Sequence, residues 1–278
     1  MTKFPALRTL LAFPLLVGVL AFPFVATAAV KNKNPASKIY VADITGESHI
    51  DTGERIESLT KKSVYVAEGT SIETKPGSSQ TLVFSNGTAI YVGPDSRFEV
   101  KKFLQEPFLP NRSDLDAEPS ISQTIVKITR GSVGVCTSKL VAGSSMTYQT
   151  PHATVNIRGR KVMIEVSDTE TRVSLIEGDV TVFVPDVGGT SQTLRPGQQA
   201  IIRKTATDQT ATLAVQPIMD EQQAKLDENV SLACISRRTV FFEVAQRGEG
   251  EDAEIRPVEV VPANPDPGFT VSPARIGG

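Results

Sequence analysis

Residues 149–204 alternate short apolar segments with glycine-containing turns, and this pattern constrains the fold more than any other part of the chain. The segments run for four to six residues and are rich in Val, Ile and Thr, the residue types typical of strands. Gly159, Gly178 and Gly197 separate them and favour tight connections. None of the segments reaches the length of an ordinary helix. We therefore predict an all-β fold of short strands joined by hairpin connections.

The same pattern extends back to residue 38. Its clearest hairpin is predicted at Asn86-Gly87, because both residues accept the positive φ of a type I′ turn. A further turn is predicted at Arg130-Gly131, between two short strands. The strands beside Asn86-Gly87 carry apolar residues spaced by two, which we expect to share one face. These residues are Leu82, Phe84, Ile90 and Val92.

Beyond residue 204 the pattern changes. A helix is predicted over 217–234, where Asp220 and Gln223 have the spacing of a reciprocal N-terminal cap. Its partial apolar stripe predicts docking on a sheet edge or at an end of the β domain. A last strand is predicted at 238–244, and the Gly-, Pro- and acid-rich residues after 247 favour a mobile tail.

The N-terminus indicates export. Lys3 and Arg8 precede an apolar run over 10–25, and residues 26–28 have the small-x-small form of a signal-peptidase site. We expect cleavage after Ala28, which leaves a periplasmic or secreted protein without a stable membrane span. The alternative is an uncleaved membrane anchor. The predicted parts are a signal peptide (1–28), a linker (29–37), a β domain (38–204), a strand-helix-strand extension (205–246) and a flexible tail (247–278).

The composition disfavours two classes of function, nucleic-acid binding and the stacking of sugars or bases on aromatic rings. The 278 residues include 29 Lys plus Arg and 31 Asp plus Glu, so the net charge of -2 provides no general attraction for nucleic acid. Aromatic residues make up 6% with no Trp, which disfavours a protein that stacks sugars or bases on exposed rings. We expect no nucleic-acid partner, and the sequence leaves the oligomeric state open.

The two cysteines, Cys136 and Cys234, allow two interpretations. In an oxidising compartment they are reasonable disulfide partners. Because the bond would close a long loop, the chain-entropy model predicts that it stabilises the fold by about 4 kcal/mol. The alternative is a pair of buried thiols that never meet. The sequence leaves both interpretations open.

Candidate catalytic groups are sparse. Ser58 and Lys61 have Ser-x-x-Lys spacing, but the companion motifs of that enzyme class do not follow. His49 and His152 lie far apart and belong to no metal-binding pattern, and no glycine-rich phosphate loop is present. We therefore predict a protein that is not an enzyme and that holds no metal or cofactor.

Arg158, Arg160 and Lys161 form the densest basic cluster of the sequence. Such a cluster can hold a carboxylate or phosphate, or contact a protein partner. Strand alternation would send neighbouring side chains to opposite faces, and a solvated strand edge that resists aggregation explains the charge equally well.

Seven short segments, taken in order, resemble the FecR domain of bacterial envelope proteins. They are residues 68–74 (EGTSIET), 82–88 (LVFSNGT), 94–98 (PDSRF), 127–135 (KITRGSVGV), 150–159 (TPHATVNIRG), 175–180 (LIEGDV) and 194–198 (LRPGQ). Each segment alone is weak evidence for the resemblance, whereas the set of seven in this order is specific to the family.

The resemblance implies a periplasmic or cell-surface β domain, arranged as a solenoid-like or sandwich-like stack of short antiparallel strands. Members of the best-known branch of the family are single-pass regulators that sense an occupied outer-membrane transporter and control a cytoplasmic sigma factor. Only about eight residues precede the apolar run here, fewer than a cytoplasmic anti-sigma domain needs. The family's usual Arg-Gly-Thr is Arg158-Gly159-Arg160 in this chain.

These observations lead us to expect an exported, non-enzymatic module that binds another envelope protein or a cell-wall polymer. The alternative is a membrane-anchored component of cell-surface signalling that contacts a separately encoded regulator of a sigma-factor pathway. A third hypothesis, an envelope hydrolase, lacks a nucleophile with its base.

Overall fold

The computed structural model describes residues 37–108, 116–204, 211–245 and 254–260, and most of these lie in strands. The predicted signal peptide, most of the linker and most of the tail lie outside the described residues. The first elements are β1 (Lys38–Thr45), β2 (Ser48–Asp51), β3 (Ile56–Ser58), β4 (Val64–Val66), β5 (Ser71–Thr74), β6 (Ser79–Phe84), β7 (Ala89–Val92), β8 (Arg97–Gln105), β9 (Ser122–Cys136) and β10 (Ser145–Gln149). They are followed by β11 (Thr154–Ile157), β12 (Lys161–Val166), β13 (Glu170–Glu177), β14 (Val180–Val184), β15 (Thr190–Leu194), β16 (Gln198–Arg203), β17 (Thr212–Pro217), α1 (Asp220–Thr239), β18 (Val240–Ala245) and β19 (Glu254–Glu259).

Two sheets form the body of the protein. In sheet A the strand order is β4-β1-β6-β7-β9-β12-β13-β16-β17, and in sheet B it is β3-β2-β5-β8-β9-β10-β11-β14-β15. The pairings within these sheets are antiparallel except for that between β9 and β10. Consecutive strands pair as antiparallel neighbours in both sheets, β6–β7, β12–β13 and β16–β17 in sheet A and β2–β3, β8–β9, β10–β11 and β14–β15 in sheet B. This arrangement confirms the predicted stack of short antiparallel strands.

The long strand β9 belongs to both sheets. Its first part pairs with β8 and β10 in sheet B, and its last part, residues 131–136, pairs with β7 and β12 in sheet A. At the bend Gly131 has φ +88°, and a Cβ atom there would lie 2.3 Å from the Cα atom of Ser96. The turn predicted at Arg130-Gly131 is therefore wrong, because the glycine bends one continuous strand and does not end it.

The two sheets enclose the main hydrophobic core. Leu82, Phe84, Ile90 and Val92 all belong to it, so the predicted shared face is confirmed. Strands β6 and β7 pair as expected. The type I′ prediction is wrong, since only Gly87 of the two turn residues has a positive φ, at +80°. Asn86 supports the turn through its side chain instead, because its Oδ1 atom accepts a hydrogen bond from the Thr88 amide at 3.1 Å.

Helix α1 packs on the outer face of sheet A, not on a sheet edge or at an end as predicted. It begins at Asp220 and ends at Thr239, and it has no side-chain cap at its N-terminus, so the predicted Asp220–Gln223 cap is wrong. A second apolar cluster joins the helix to the sheet. It includes Val83, Tyr91 and Met163 from sheet A and Leu226, Val230 and Ala233 from α1.

The C-terminal residues add to this outer layer. β17, which the sequence places in the extension, pairs with β16 and forms an edge of sheet A. β19 falls within the predicted flexible tail, yet it pairs with β18 along six residues. Glu259 of β19 accepts hydrogen bonds from the Tyr40 hydroxyl and from Lys62 Nζ, the latter at 2.8 Å. These contacts tie β19 to β1 and to the turn that precedes β4. Among the described residues no helix is both long and apolar enough to cross a bilayer.

Candidate functional site

The predicted basic cluster lies at the corner where the chain passes from β11 to β12. The Arg158 amide donates to the Asp179 carbonyl at 2.9 Å, and the Arg160 amide donates to the Glu177 carbonyl at 2.9 Å. The Arg160 carbonyl in turn accepts from the Thr137 amide at 3.0 Å. Three successive corners are therefore hydrogen-bonded into one stack, which fixes the backbone from which Arg160 projects.

The three basic side chains do not follow strand alternation, because the chain bends at residues 159–160 and the neighbours Arg160 and Lys161 line the same cavity. Arg160 reaches Asp116 at 3.2 Å and Glu177 at 3.5 Å, whereas Lys161 reaches Asp227 of α1 at 2.9 Å. Arg158 is exposed and lies outside the cavity that Arg160 and Lys161 line. The structure thus directs two of the three predicted residues towards the helix.

The cysteines meet at the same place. Cys136 ends β9 and Cys234 lies on α1, and the structure joins them in a disulfide with their Cα atoms 5.2 Å apart. Because the bond closes a sequence separation of 98 residues, it fastens the helix to the outer face of sheet A. The predicted cysteine pair and two of the predicted basic residues form parts of one site.

We call this site the disulfide cavity, a space of about 270 Å³ between the corner stack and α1. Four basic side chains and two acidic ones line it among the described residues. The basic residues are Arg160, Lys161, Arg237 and Arg238, and the acidic ones are Asp116 and Glu177. The excess of positive charge favours an anionic ligand.

Arg237 forms the buried end of this charge cluster. Its side chain is only 6% exposed, and its Nη2 atom lies 3.2 Å from Asp116 Oδ1. Burial lowers the pKa of Arg237, and the ion pair with Asp116 opposes this change. Arginine keeps its charge in proteins, so the cavity holds a fixed cation beneath its exposed mouth.

Sequence reasoning did not find Arg237, Arg238 and Asp116 as site residues. Arg237 and Arg238 lie in the last turn of α1, where basic residues are commonly explained by the helix dipole. Asp116 lies in a connection that carried no strand pattern. The docking of α1 on sheet A brings Arg237 and Arg238 to the β11–β12 corner, whereas the Asp116 carbonyl accepts a hydrogen bond from the Lys139 amide at 2.8 Å, which holds Asp116 there independently of the helix.

The candidate catalytic groups have structural partners. Lys61 Nζ lies 2.7 Å from Asp43 Oδ1, and this hydrogen bond raises the pKa of Lys61, which makes the lysine a poorer base for Ser58. His152 is buried, with Nδ1 2.8 Å from Thr171 Oγ1 and Nε2 3.3 Å from the Asp168 carbonyl. The described residues contain no cluster of His, Cys, Asp and Glu that could hold a metal ion.

Strand β17 offers a second surface for a partner. Among the described strands it pairs only with β16, and most of its side chains are exposed. Its sequence, TLAVQP, contains no charge that would discourage pairing with another strand. An extended partner segment could add to this edge through backbone hydrogen bonds.

Comparison with known proteins supports the resemblance found in the motifs. Residues 70–181 match the family model described as FecR protein. The matched residues run from the connection before β5 into β14 and so include β9, which joins the two sheets. No curated protein matches the chain.

Two crystal structures, at 2.50 and 1.65 Å resolution, show a protein from Parabacteroides distasonis ATCC 8503 that is proposed to be an anti-sigma factor. They match this chain with a TM-score of 0.39 and with 17% and 16% sequence identity, respectively. Each match covers 53% of this chain and 59% of the other, so the chain spans about six tenths of the length of these structures. Together with the ordered motifs, the family match shows that residues 70–181 of this chain form a FecR domain.

Proposed function

We propose that this protein is a component of cell-surface signalling in the bacterial envelope, and that its β body acts by binding another envelope protein. The observation that carries the proposal is the FecR match over residues 70–181, which covers the central strands of both sheets. A rigid sandwich with a charged cavity and an open strand edge offers surfaces for a protein partner. Its role in signalling is to report the presence of that partner.

The proposal requires the domain to be exported and held near the inner membrane. FecR-domain proteins are associated with the envelope, and the apolar run over 10–25 is suited to directing export. Retention of this run as an anchor would keep the domain beside a membrane-bound regulator. Mass spectrometry of the N-terminus of the protein purified from cells tests this step. A chain that starts at Ala29 would count against anchored signalling and leave an exported binding module.

The signalling role is tested by deleting the chain from its native cells and measuring transcripts. We expect a defined set of transcripts to change, and expression of the wild-type chain to restore them. Chemical crosslinking in the restored cells, followed by mass spectrometry, should attach the chain to an envelope protein. Unchanged transcripts despite a crosslinked partner would refute signalling but retain the binding role. Retention on purified peptidoglycan without any crosslinked protein would instead indicate a polymer-binding module.

A further inference from the structure

Asp116 places one carboxylate between two guanidinium groups at the mouth of the disulfide cavity. Its Oδ1 atom lies 3.2 Å from Arg160 Nη2 and 3.2 Å from Arg237 Nη2. The Asp116 side chain is 76% exposed, whereas that of Arg237 is 6% exposed. The carboxylate therefore reaches the buried arginine from the solvent side. This arrangement shows that the cavity accepts a carboxylate at a position open to an approaching molecule.

The surroundings of this position combine charge with apolar surface. Arg238 adds a further positive charge to the lining, while Lys161 is directed to Asp227 on α1. Ile235, also on α1, lines the cavity and is 60% exposed. One helical turn earlier Leu232 is 44% exposed. An acidic side chain flanked by apolar ones would match both features, whereas a small inorganic anion would match only the charge.

We propose that the disulfide cavity binds an acidic segment of the partner protein. A carboxylate of that segment replaces Asp116 between Arg160 and Arg237, and an apolar neighbour packs on Ile235. The inference rests on the proposed function, since it names the surface and the chemistry of the partner contact. Asp116 acts as an internal competitor that the partner displaces. Because Arg237 is buried and fixed, little side-chain entropy is lost when the new ion pair forms.

Binding of a defined probe tests the chemistry. The probe is the peptide acetyl-Leu-Asp-Leu-Asp-Leu-amide, added to the protein purified from the envelope and followed by calorimetry. The matched control peptide carries Asn in place of Asp, and inorganic phosphate serves as a simple anion. Charged hydrogen bonds contribute about 1.5–3 kcal/mol, so we expect the Asn peptide to bind at least about tenfold more weakly. Equal binding of the two peptides, or phosphate binding as tight as that of the Asp peptide, would overturn the proposal.

Variants of the chain locate the site. Arg160→Ala should weaken binding of the Asp peptide about tenfold, because it removes one arm of the carboxylate clamp. Asp116→Asn should strengthen it several-fold by removing the competitor. Arg158→Ala is the matched control, since Arg158 lies at the same corner and outside the cavity, and it should change the affinity less than about twofold. Arg160 is 45% exposed, so its truncation should leave the melting temperature nearly unchanged. Equal losses in Arg158→Ala and Arg160→Ala would refute the assignment.

Photo-crosslinking in cells separates this inference from the proposed function. A photoreactive residue replaces Ile235 beside the cavity in one version and Val215 on β17 in another. We expect capture of an envelope protein from position 235, through a partner peptide that contains Asp or Glu, and loss of this capture in Arg160→Ala. Capture from position 215 alone would retain the binding function and overturn the cavity as its site. Capture of a second copy of this chain would overturn the proposal that an acidic segment of a different protein binds the cavity. No capture of a protein from either position would overturn both proposals.

Discussion

The Gly178 Cα hydrogens point at the backbone of Gly159: a Cβ atom on Gly178 would lie 2.2 Å from the Cα atom of Gly159. The two glycines belong to successive corners, where the chain passes between sheets A and B. The amides of Arg158 and Arg160 donate to carbonyls on either side of Gly178, at 2.9 Å each. Close backbone contact between these corners is therefore required to hold Arg160 at the disulfide cavity.

Gly178→Ala should destabilise the fold more than Gly197→Ala. Both glycines have positive φ, at +102° and +81°, so each alanine loses about 1–2 kcal/mol to the left-handed conformation. A Cβ atom on Gly197 would meet nothing within 4 Å, whereas one on Gly178 must push the corners apart. We expect a further loss of about 1–3 kcal/mol for Gly178→Ala, as for overpacking of a core. Urea unfolding followed by circular dichroism measures the difference. Equal losses in the two variants would contradict the close contact.

Reduction of the Cys136–Cys234 disulfide should lower the free energy of unfolding. In the chain-entropy model a loop of about 100 residues contributes close to 4.7 kcal/mol, and measured values are commonly smaller. Urea unfolding with and without reductant gives the difference, and the double variant Cys136→Ala with Cys234→Ala should not respond to reductant. Labelling of both thiols in the native, non-reduced protein would refute the bond.

The sequence predicted the β body well because its signals are local. Glycines at short intervals and runs of β-branched residues indicate strands and corners without knowledge of the distant chain. The exceptions have physical reasons. The sequence predicts a turn at Gly131, because a bend inside a strand and a hairpin turn can both require a positive φ. β19 contains Pro257 and charged residues, a composition that is typical of a flexible segment. Its pairing with β18 outweighs this composition.

The candidate site was only half predictable. Arg160, Lys161 and the cysteines carried recognisable signals, but their meeting depends on α1 lying across sheet A. The helix has a weak apolar stripe, since Leu232 and Ile235 interrupt its polar face. The position of α1 is decided by packing, in particular because Gly134 has no side chain and lets the helix approach the sheet at Val230. A single sequence does not show which face of a sheet accepts a helix.

Gly134→Val should loosen α1 from the sheet. A Cβ atom at position 134 would lie 3.1 Å from Val230 Cγ2 and 3.3 Å from Met163 Cε, so the larger side chain meets the helix directly. We expect a loss of about 1–3 kcal/mol in the free energy of unfolding. Val230→Ala makes room at the same contact, and the loss in the double variant should be smaller than the sum of the two single losses. Simple additivity in urea unfolding would show that the helix does not lie on Gly134.

Glu118→Gln should stabilise the protein at neutral pH and lose this advantage in acid. Glu118 is buried, with its oxygens accepting hydrogen bonds from the Ser122 hydroxyl and, at 3.2 Å, from the Val141 amide. Burial raises the pKa of Glu118 above its usual value of 4.5, and the hydrogen bonds only partly oppose this. A carboxyl group whose pKa is raised in the folded state contributes most to the free energy of unfolding below its unfolded pKa. This contribution is lost as the pH rises through the folded pKa.

Glutamine at position 118 does not ionise, so the stability of the variant relative to wild type should increase between pH 4 and pH 7.5. Its amide retains one oxygen acceptor for the Val141 amide and provides a donor towards the hydroxyl of Ser122. Glu54→Gln, at an exposed turn, controls for the loss of a charge. Urea unfolding at several pH values measures the difference. A constant difference between wild type and Glu118→Gln would show that Glu118 titrates alike in the folded and unfolded chain, and that its burial carries no electrostatic cost.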